Sequence, residues 1–266
     1  MSIIRAVRAG FLSIALLGVS GLGLAGAAHA DELAAIMKAK VIKIAVPQDF
    51  APFGSAGPDL KPQGLDVDMA HLIGKKLGVK VEIVPVTSAN RIPYLQTKKV
   101  DLVISSLGKN AERAKVIDFS NAYAPFFSGV FGVKSLKVTK MADLAGKTIG
   151  ATRGAIEEQE VSKMTPKSTT VKRFEDNSAT ISAFESGQVD LIATGNVVAA
   201  AISAKNPSRP AALKFLIHNS PCYVGMSKGE PALMAKVNAI IAAAKKDGDL
   251  NKLSVKWLHN PLPPGF

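Results

Sequence analysis

Apolar positions along this chain follow two rhythms: short aliphatic runs, and longer stretches in which apolar residues recur every three or four places. The runs at 41–46, 79–84, 100–105, 147–151 and 189–193 read as buried strands. Residues 65–77 put Leu65, Met69, Leu72, Ile73 and Leu77 on one face of a helix that Gly78 ends. Further helices are predicted at 92–98, from about Ile156, at 180–186 and at 197–204, and one that Pro231 opens and Gly248 ends. Strands alternating with helices predict an α/β fold on mostly parallel sheets.

A faint repeat adds to this. LQTKKVDLV at 95–103 parallels FESGQVDLI at 184–192, each a helix end, a polar turn and a strand opening with V-D-L. Its copies lie in opposite halves of the chain, which predicts two lobes of similar design. FFSGVFGV at 126–133 and SPCYVGM at 220–226 are extended in character and read as crossings between the lobes. Gly129, Gly132 and Gly225 inside them either permit hinge torsion or allow close packing within a strand. The expected division is a leader at 1–30, the first part of lobe 1 at 31–127, lobe 2 with the hinge strands at 128–225, and the rest of lobe 1 at 226–266.

The leader is excluded from the fold: Arg5 and Arg8, an apolar run at 11–17 and Ala28-His29-Ala30 before Asp31 have the form of a cleavable signal peptide. The run is too short to span a membrane. The sole cysteine, Cys222, excludes an internal disulfide and a lipid anchor near the cleavage point, and is expected as a small buried hydrophobe. Loss of Arg5 and Arg8 takes the net charge from +12 to +10. The lysines are scattered and aromatics are few, so nucleic acid is not an expected partner, and the field favours anionic solutes.

In open α/β lobes, ligands sit beyond the C-terminal ends of strands. That selects the loops at 47–53, 87–91, 105–113 and 152–156, with 194–197 as a fifth. In the third, Asn110 is a candidate N-cap and Arg113 follows within the first turn. Backbone N–H groups there face an anion, and a guanidinium can hold a carboxylate through two parallel bonds. The alternative is a surface pair of Arg113 with Glu112 or Asp118. TSANRIP at 87–93 sets Ser88, Asn90 and Arg91 before a helix that Pro93 opens, and Arg91 either meets an anion or pairs with nearby acids. Glu157 and Glu158 read as first-turn carboxylates that favour the helix dipole. Four scattered histidines, with no H-x-x-x-H, C-x-x-C, G-x-S-x-G or P-loop pattern, give no footing for a metal, a cofactor or nucleophilic catalysis.

Three segments carry a resemblance. VDLVISSLGKNAERAKVIDFS at 100–120 holds Glu112-Arg113, Lys115 and Ile117-Asp118-Phe119-Ser120, GLDVDMAHLIGKKLG occupies 64–78, and DGDLNKLSVKWL occupies 247–258. Together they resemble the bacterial extracellular solute-binding proteins of family 3, which deliver polar amino acids to ABC importers. The likeness extends over essentially all of 31–260. It implies a two-lobed periplasmic-binding-protein fold of type II, a monomeric non-enzymatic receptor without a cofactor, a periplasmic location, and an inner-membrane ABC permease as partner.

The resemblance also implies roles. Arg113 would take the main-chain carboxylate, and the S-x-N-R-I-P form resembles the branch for acidic amino acids, in which Ser88 and Arg91, flanking Asn90, grip the side-chain carboxylate. Phe50 would pack on the aliphatic part of the ligand, with Phe53 assigned to the core. Ser106 would touch the ligand, and Gly108 stands where the family has a hydroxyl residue. Gly154-Ala155-Ile156 replaces a G-T/S anion loop, so Ala155 and Ile156 offer amides alone; Arg153 is a third guanidinium. The acid expected for the α-ammonium falls near Gly195 and Asn196, leaving Asn196 or Asp49 as substitutes. The alternatives are therefore an amine-free dicarboxylate or N-acylated amino acid as ligand, a cyclohexadienyl-dehydratase-like enzyme using Glu157 or Glu158, or a receptor that docks onto a sensor. As an exposed cleft residue, Arg113 replaced by alanine is expected to abolish binding and to change stability by no more than about 1 kcal/mol.

Overall fold

The computed structural model describes residues 31–206 and 208–266, and the signal peptide expected at 1–30 lies outside them. The first elements are α1 (Glu32–Ala39), β1 (Val41–Pro47), β2 (Ser55–Ala56), β3 (Pro62–Gln63), α2 (Leu65–Leu77), β4 (Lys80–Val86), α3 (Arg91–Gln96), β5 (Leu102–Leu107), α4 (Ala111–Ala114) and β6 (Ile117–Ala124). There follow β7 (Phe127–Gly132), β8 (Thr148–Thr152), α5 (Ile156–Met164), β9 (Thr170–Phe174), α6 (Asn177–Glu185), β10 (Leu191–Gly195), α7 (Asn196–Lys205) and β11 (Ala212–Asn219). The chain closes with β12 (Cys222–Ser227), α8 (Pro231–Lys246) and α9 (Asp249–Leu258).

Two five-stranded sheets organise these elements, in the orders β4-β1-β5-β12-β6 and β9-β8-β10-β7-β11. In each, three strands pair in parallel, the fourth pairs antiparallel to the third, and the fifth pairs antiparallel to the fourth. The chain crosses between the sheets twice, from β6 to β7 and from β11 to β12. Because β12 pairs with both β5 and β6, the second crossing falls at Ser220-Pro221, ahead of the boundary expected at 225. The three crossing glycines sit inside β7 and β12, and none has a positive φ. A Cβ on Gly225 would lie 2.6 Å from a Leu107 methyl, so close packing, not torsional freedom, selects glycine there.

The V-D-L repeat has a structural counterpart in both sheets. Asp101 accepts the Lys43 N–H of β1 at 2.7 Å, and Asp190 accepts the Thr148 N–H of β8 at 2.8 Å. Each aspartate thus satisfies a backbone donor near the start of the neighbouring strand, which would otherwise lack a partner.

In lobe 1, Ile42, Ile44 and Val46 of β1 lie beneath Leu65, Met69, Ile73 and Leu77 of α2, all buried. Gly78 ends α2 at φ +71, as its position predicts. The helix expected at 92–98 stops at Gln96, because Lys98 turns to φ +54 and Val100 N–H returns to the Tyr94 carbonyl. The helix expected at 180–186 opens at Asn177, where the Asp176 side chain caps the Ala179 N–H at 2.8 Å. The hydrophobic pattern does not mark α1, β9 or β11; β9 and β11 are edge strands with half-buried or exposed side chains.

Candidate functional site

The C-terminal ends of the parallel strands in both sheets face one another across a cleft. Lobe 1 contributes Phe50 after β1, Ser88 and Arg91 after β4, and Ser106 and Arg113 at and beyond the end of β5. Lobe 2 contributes Thr152, Ala155, Ile156 and Glu157 after β8, Asn177 at the start of α6, and Ala193 and Thr194 of β10. These groups and Phe126 close on a space of only about 20 Å³, room for little more than a water in the shut cleft. A larger cavity of about 520 Å³ lies beside the crossings, between Phe126, Phe127, Pro221 and the C-terminal tail. Its lining has no ionisable side chain, so the chemistry concentrates in the smaller one.

Arg113 is 3 % exposed. Its Nη1 donates to the Gly108 carbonyl at 2.7 Å and its Nη2 to the Gly154 carbonyl of the opposite lobe at 2.9 Å. Its buried Nε has no acceptor among the described residues. The surface-pair alternative is not what forms: Glu112 bonds Lys115 and Asp118 bonds Lys228. Asn110 does cap, accepting the Arg113 N–H at 2.9 Å, but α4 is a single turn. Its dipole is correspondingly small, and the guanidinium carries the positive charge. Burial first, and then the nearby Arg91 charge, lower the Arg113 pKa to about 9 against the opposing charge of Glu157. The group stays cationic at neutral pH, in surroundings that favour an arriving anion.

Arg91 is also buried, with Nε on the Ser88 carbonyl at 3.1 Å and Nη1 on the Ser105 carbonyl at 2.7 Å. Burial depresses its pKa, and Glu157 and Asp66 oppose that shift. Two of its donor nitrogens are therefore committed to backbone. Glu157, only 5 % exposed, accepts the Ser128 hydroxyl at 2.8 Å. Glu157 is a first-turn carboxylate of α5, as its position predicts, and it is also a buried part of the cleft wall. Glu158, its neighbour, pairs with Arg173 away from the cleft.

Seven of the ten expected site residues converge on this cavity: Phe50, Ser88, Arg91, Ser106, Arg113, Ala155 and Ile156. Three do not. Asn90 is exposed outside it. Gly108 contributes a carbonyl to Arg113 and packs under Ser220 and Ile156, where a side chain has no room. Asn196 lines the larger cavity, and its Oδ1 faces the Phe127 N–H at 3.3 Å. A Cβ on the preceding Gly195 would collide with the Phe126 ring, so that ring fills the space an acid at 195 would need. Phe53 is fully buried and stacks with Phe50 at 5.9 Å between centroids, a core role as expected. Arg153 pairs with Glu175 at the surface.

Three contacts span the mouth. Arg113 reaches Gly154, and Asn110 Nδ2 donates to Gln159 Oε1 at 2.7 Å. Asp49 accepts from the Asn177 side chain at 3.1 Å and the Ser178 N–H at 3.0 Å. Asp49 thereby closes the start of α6 from the opposite lobe and is not free for a ligand. Gly154, at φ +76, sits against the backbone of Ala89, so the lobes meet with no side chain between them at that point. The arrangement is a shut cleft holding two guanidiniums and a carboxylate, the charge pattern that complements a zwitterionic small molecule.

The sequence profile of the bacterial extracellular solute-binding proteins, family 3, matches residues 42–260. The chain is 28 % identical over 233 residues to the ABC transporter glutamine-binding protein GlnH of Bacillus subtilis, covering 86 % of this chain and 85 % of that one. It is 25 % identical over 260 residues to the L-cystine-binding protein TcyJ of Escherichia coli, covering 95 % of each. Among solved structures, a solute receptor for L-cysteine of Neisseria gonorrhoeae superposes with a TM-score of 0.80 at 33 % identity, covering 85 % of this chain and 93 % of that one. These relatives are solute receptors, not enzymes, and the two-sheet architecture is the two-lobed fold of periplasmic amino-acid-binding proteins. The chain belongs to the bacterial extracellular solute-binding proteins of family 3.

Proposed function

We propose that this protein is the periplasmic receptor of an amino-acid ABC importer and binds a free α-amino acid with an acidic side chain. The observation that carries the reading is the convergence of buried Arg113, Arg91 and Glu157 on one small cavity. Arg113 takes the α-carboxylate through Nε, a buried donor without an acceptor among the described residues. Glu157 takes the α-ammonium, a role that position 195 cannot fill beside the Phe126 ring. A buried ammonium without a carboxylate would cost on the order of several kcal/mol, so Glu157 favours a free amine over amine-free or N-acylated ligands. Ser88 and Arg91 face the side chain, with Phe50 along its aliphatic part. The receptor acts as a monomer after export by its signal peptide and presents the closed, loaded state to an inner-membrane permease. Discrimination of loaded from empty receptor requires that the solute bind the closed state more tightly.

A second reading has its own observation. Arg91 spends Nε and Nη1 on carbonyls, which favours a neutral polar side chain over a second carboxylate. A thermal-shift panel of amino acids, their N-acetyl forms and small dicarboxylates separates the cases. A ligand at a hundred times its Kd stabilises by about 2.7 kcal/mol. Shifts with L-glutamate or L-aspartate uphold the acidic assignment, and shifts with L-glutamine alone replace it with the neutral one. No response to any free amino acid overturns the receptor proposal.

Closure gives another expectation. In Gly154→Ala the new Cβ meets Ala89 Cα at 2.7 Å and the residue keeps a φ that L side chains disfavour. The lobes should remain partly open, with a larger radius of gyration by small-angle scattering in the presence of solute. Affinity should fall at least tenfold, about 1.4 kcal/mol. Parental scattering and affinity would place the lobe contact elsewhere.

A further inference from the structure

Asp66 is the most deeply buried acid near the cleft, yet it does not line the cavity. It sits in the first turn of α2, and its Oδ2 accepts the Ser106 N–H at 2.6 Å while its Oδ1 accepts the Tyr123 hydroxyl at 2.6 Å. Arg91 Nη1 donates to the Ser105 carbonyl at 2.7 Å. The Ser105 carbonyl and the Ser106 N–H are the two polar ends of one peptide group. One planar unit is therefore held at its oxygen by a cation and at its nitrogen by a carboxylate. Ser106, immediately beyond, lines the cavity at φ +40, a left-handed conformation that a serine does not hold without support.

We propose that Asp66 and Arg91 are a positioning pair: they clamp the Ser105–Ser106 peptide group from both ends and so fix Ser106 in the orientation it presents to the solute. The proposal rests on the cavity being the solute site and adds to it a pair of residues that act through the backbone. It also explains why so buried an Arg91 gives two donors to carbonyls. Arg91 Nε on the Ser88 carbonyl ties a second cavity-lining residue to the same guanidinium. One cation thereby sets the register of two loops.

The clamp is sensitive to protonation. The titratable groups facing Asp66 are Tyr123 on β6, Arg91 on α3 and Cys222 on β12, with Glu157 of the other lobe acting on Arg91. Burial raises the Asp66 pKa to about 7, against the opposing effects of the Tyr123 hydroxyl, the Ser106 N–H and the Arg91 charge. Protonation replaces a charge-assisted N–H···O⁻ bond with a weaker neutral one. The stability effect has the opposite sign to the binding effect. A carboxyl raised above its unfolded value of 3.8 gives a contribution that is full below that value and is lost as pH rises through about 7.

The test follows the Ser106 amide by ¹H–¹⁵N NMR between pH 5 and 9, without solute, in the parent, Asp66→Asn and Tyr123→Phe. The parent amide should titrate with a midpoint near neutrality, and in Asp66→Asn the titration should vanish. Tyr123→Phe, which removes only a hydroxyl, should move the midpoint upward, and it keeps the test valid if Asp66→Asn does not fold. Calorimetric titration with L-glutamine and L-glutamate then reads the consequence. Asp66→Asn should bind the preferred one roughly tenfold or more weakly with a flat pH profile. If that ligand is L-glutamine, the parent should lose affinity several-fold from pH 8.5 to 5.5. A Ser106 amide that does not titrate, or an Asp66→Asn variant with parental affinity and pH profile, overturns the clamp. If no free amino acid, L-aspartate included, binds the parent, it is the solute assignment that fails, and the amide titration still decides whether Asp66 grips Ser106.

Discussion

Arg113→Ala is expected to weaken binding of the cognate amino acid by on the order of a hundredfold to a thousandfold, about 3–4 kcal/mol. The substitution removes the one guanidinium, among the described residues, with a buried donor that no protein group satisfies. It also removes the lobe-to-lobe bond to Gly154, so the loss falls on closure as well as on the carboxylate. Burial of this residue revises the basis of the stability expectation, which took it as exposed. Two charge-assisted bonds to carbonyls disappear, but so do the cost of burying a cation and its repulsion from Arg91. Water reaches the freed carbonyls once the cleft opens. The net change in the ligand-free protein should remain within about 1–2 kcal/mol. Arg113→Lys should recover little, because an ammonium lacks the fork that spans two carbonyls and a carboxylate. Calorimetric titration alongside thermal denaturation checks both parts. Parental affinity in Arg113→Ala would remove the central element of the site.

The parts of this fold legible in the sequence are those where burial is one-sided and periodic. The α2 stripe and the aliphatic runs of β1, β5, β8 and β10 announce themselves because each faces a core. Edge strands β9 and β11 do not, since their exposed side chains follow no burial rhythm. The lobe of β12 depends on which strands it pairs with, and a linear pattern holds no record of pairing. The site divides the same way. Loops at strand ends put Phe50, Ser88, Arg91, Ser106 and Arg113 in the cleft by topology alone. Asn196 turned elsewhere because Asn196 starts α7 on the side facing the C-terminal tail. Asp66 escaped notice because its apolar neighbours make GLDVD read as a helix start, and nothing linear links it to Ser106, forty residues on. Glu157 looked like one of two equivalent first-turn acids; only packing against Ser128 of a distant strand separates it from Glu158.

That separation makes Glu157→Gln the most discriminating substitution. The amide keeps an oxygen for the Ser128 hydroxyl and nearly the same volume, so the wall of the cleft should survive. What disappears is the negative charge facing Arg91 and Arg113. A free α-amino acid then brings its ammonium to a neutral partner beside two cations. Its affinity should drop by about 2–3 kcal/mol, roughly thirtyfold to over a hundredfold. A dicarboxylate of matching length, such as glutarate, has no ammonium to lose. With one anionic neighbour gone, it should bind the variant as well as it binds the parent, or better. The ratio of the two affinities therefore shifts toward the dicarboxylate in the variant, which a general loosening of the cleft would not produce, since that would weaken both ligands alike. Equal losses for amino acid and dicarboxylate would return Glu157 to a structural role and put the ammonium partner elsewhere. An unchanged amino-acid affinity would show that the α-amine does not meet this carboxylate at all.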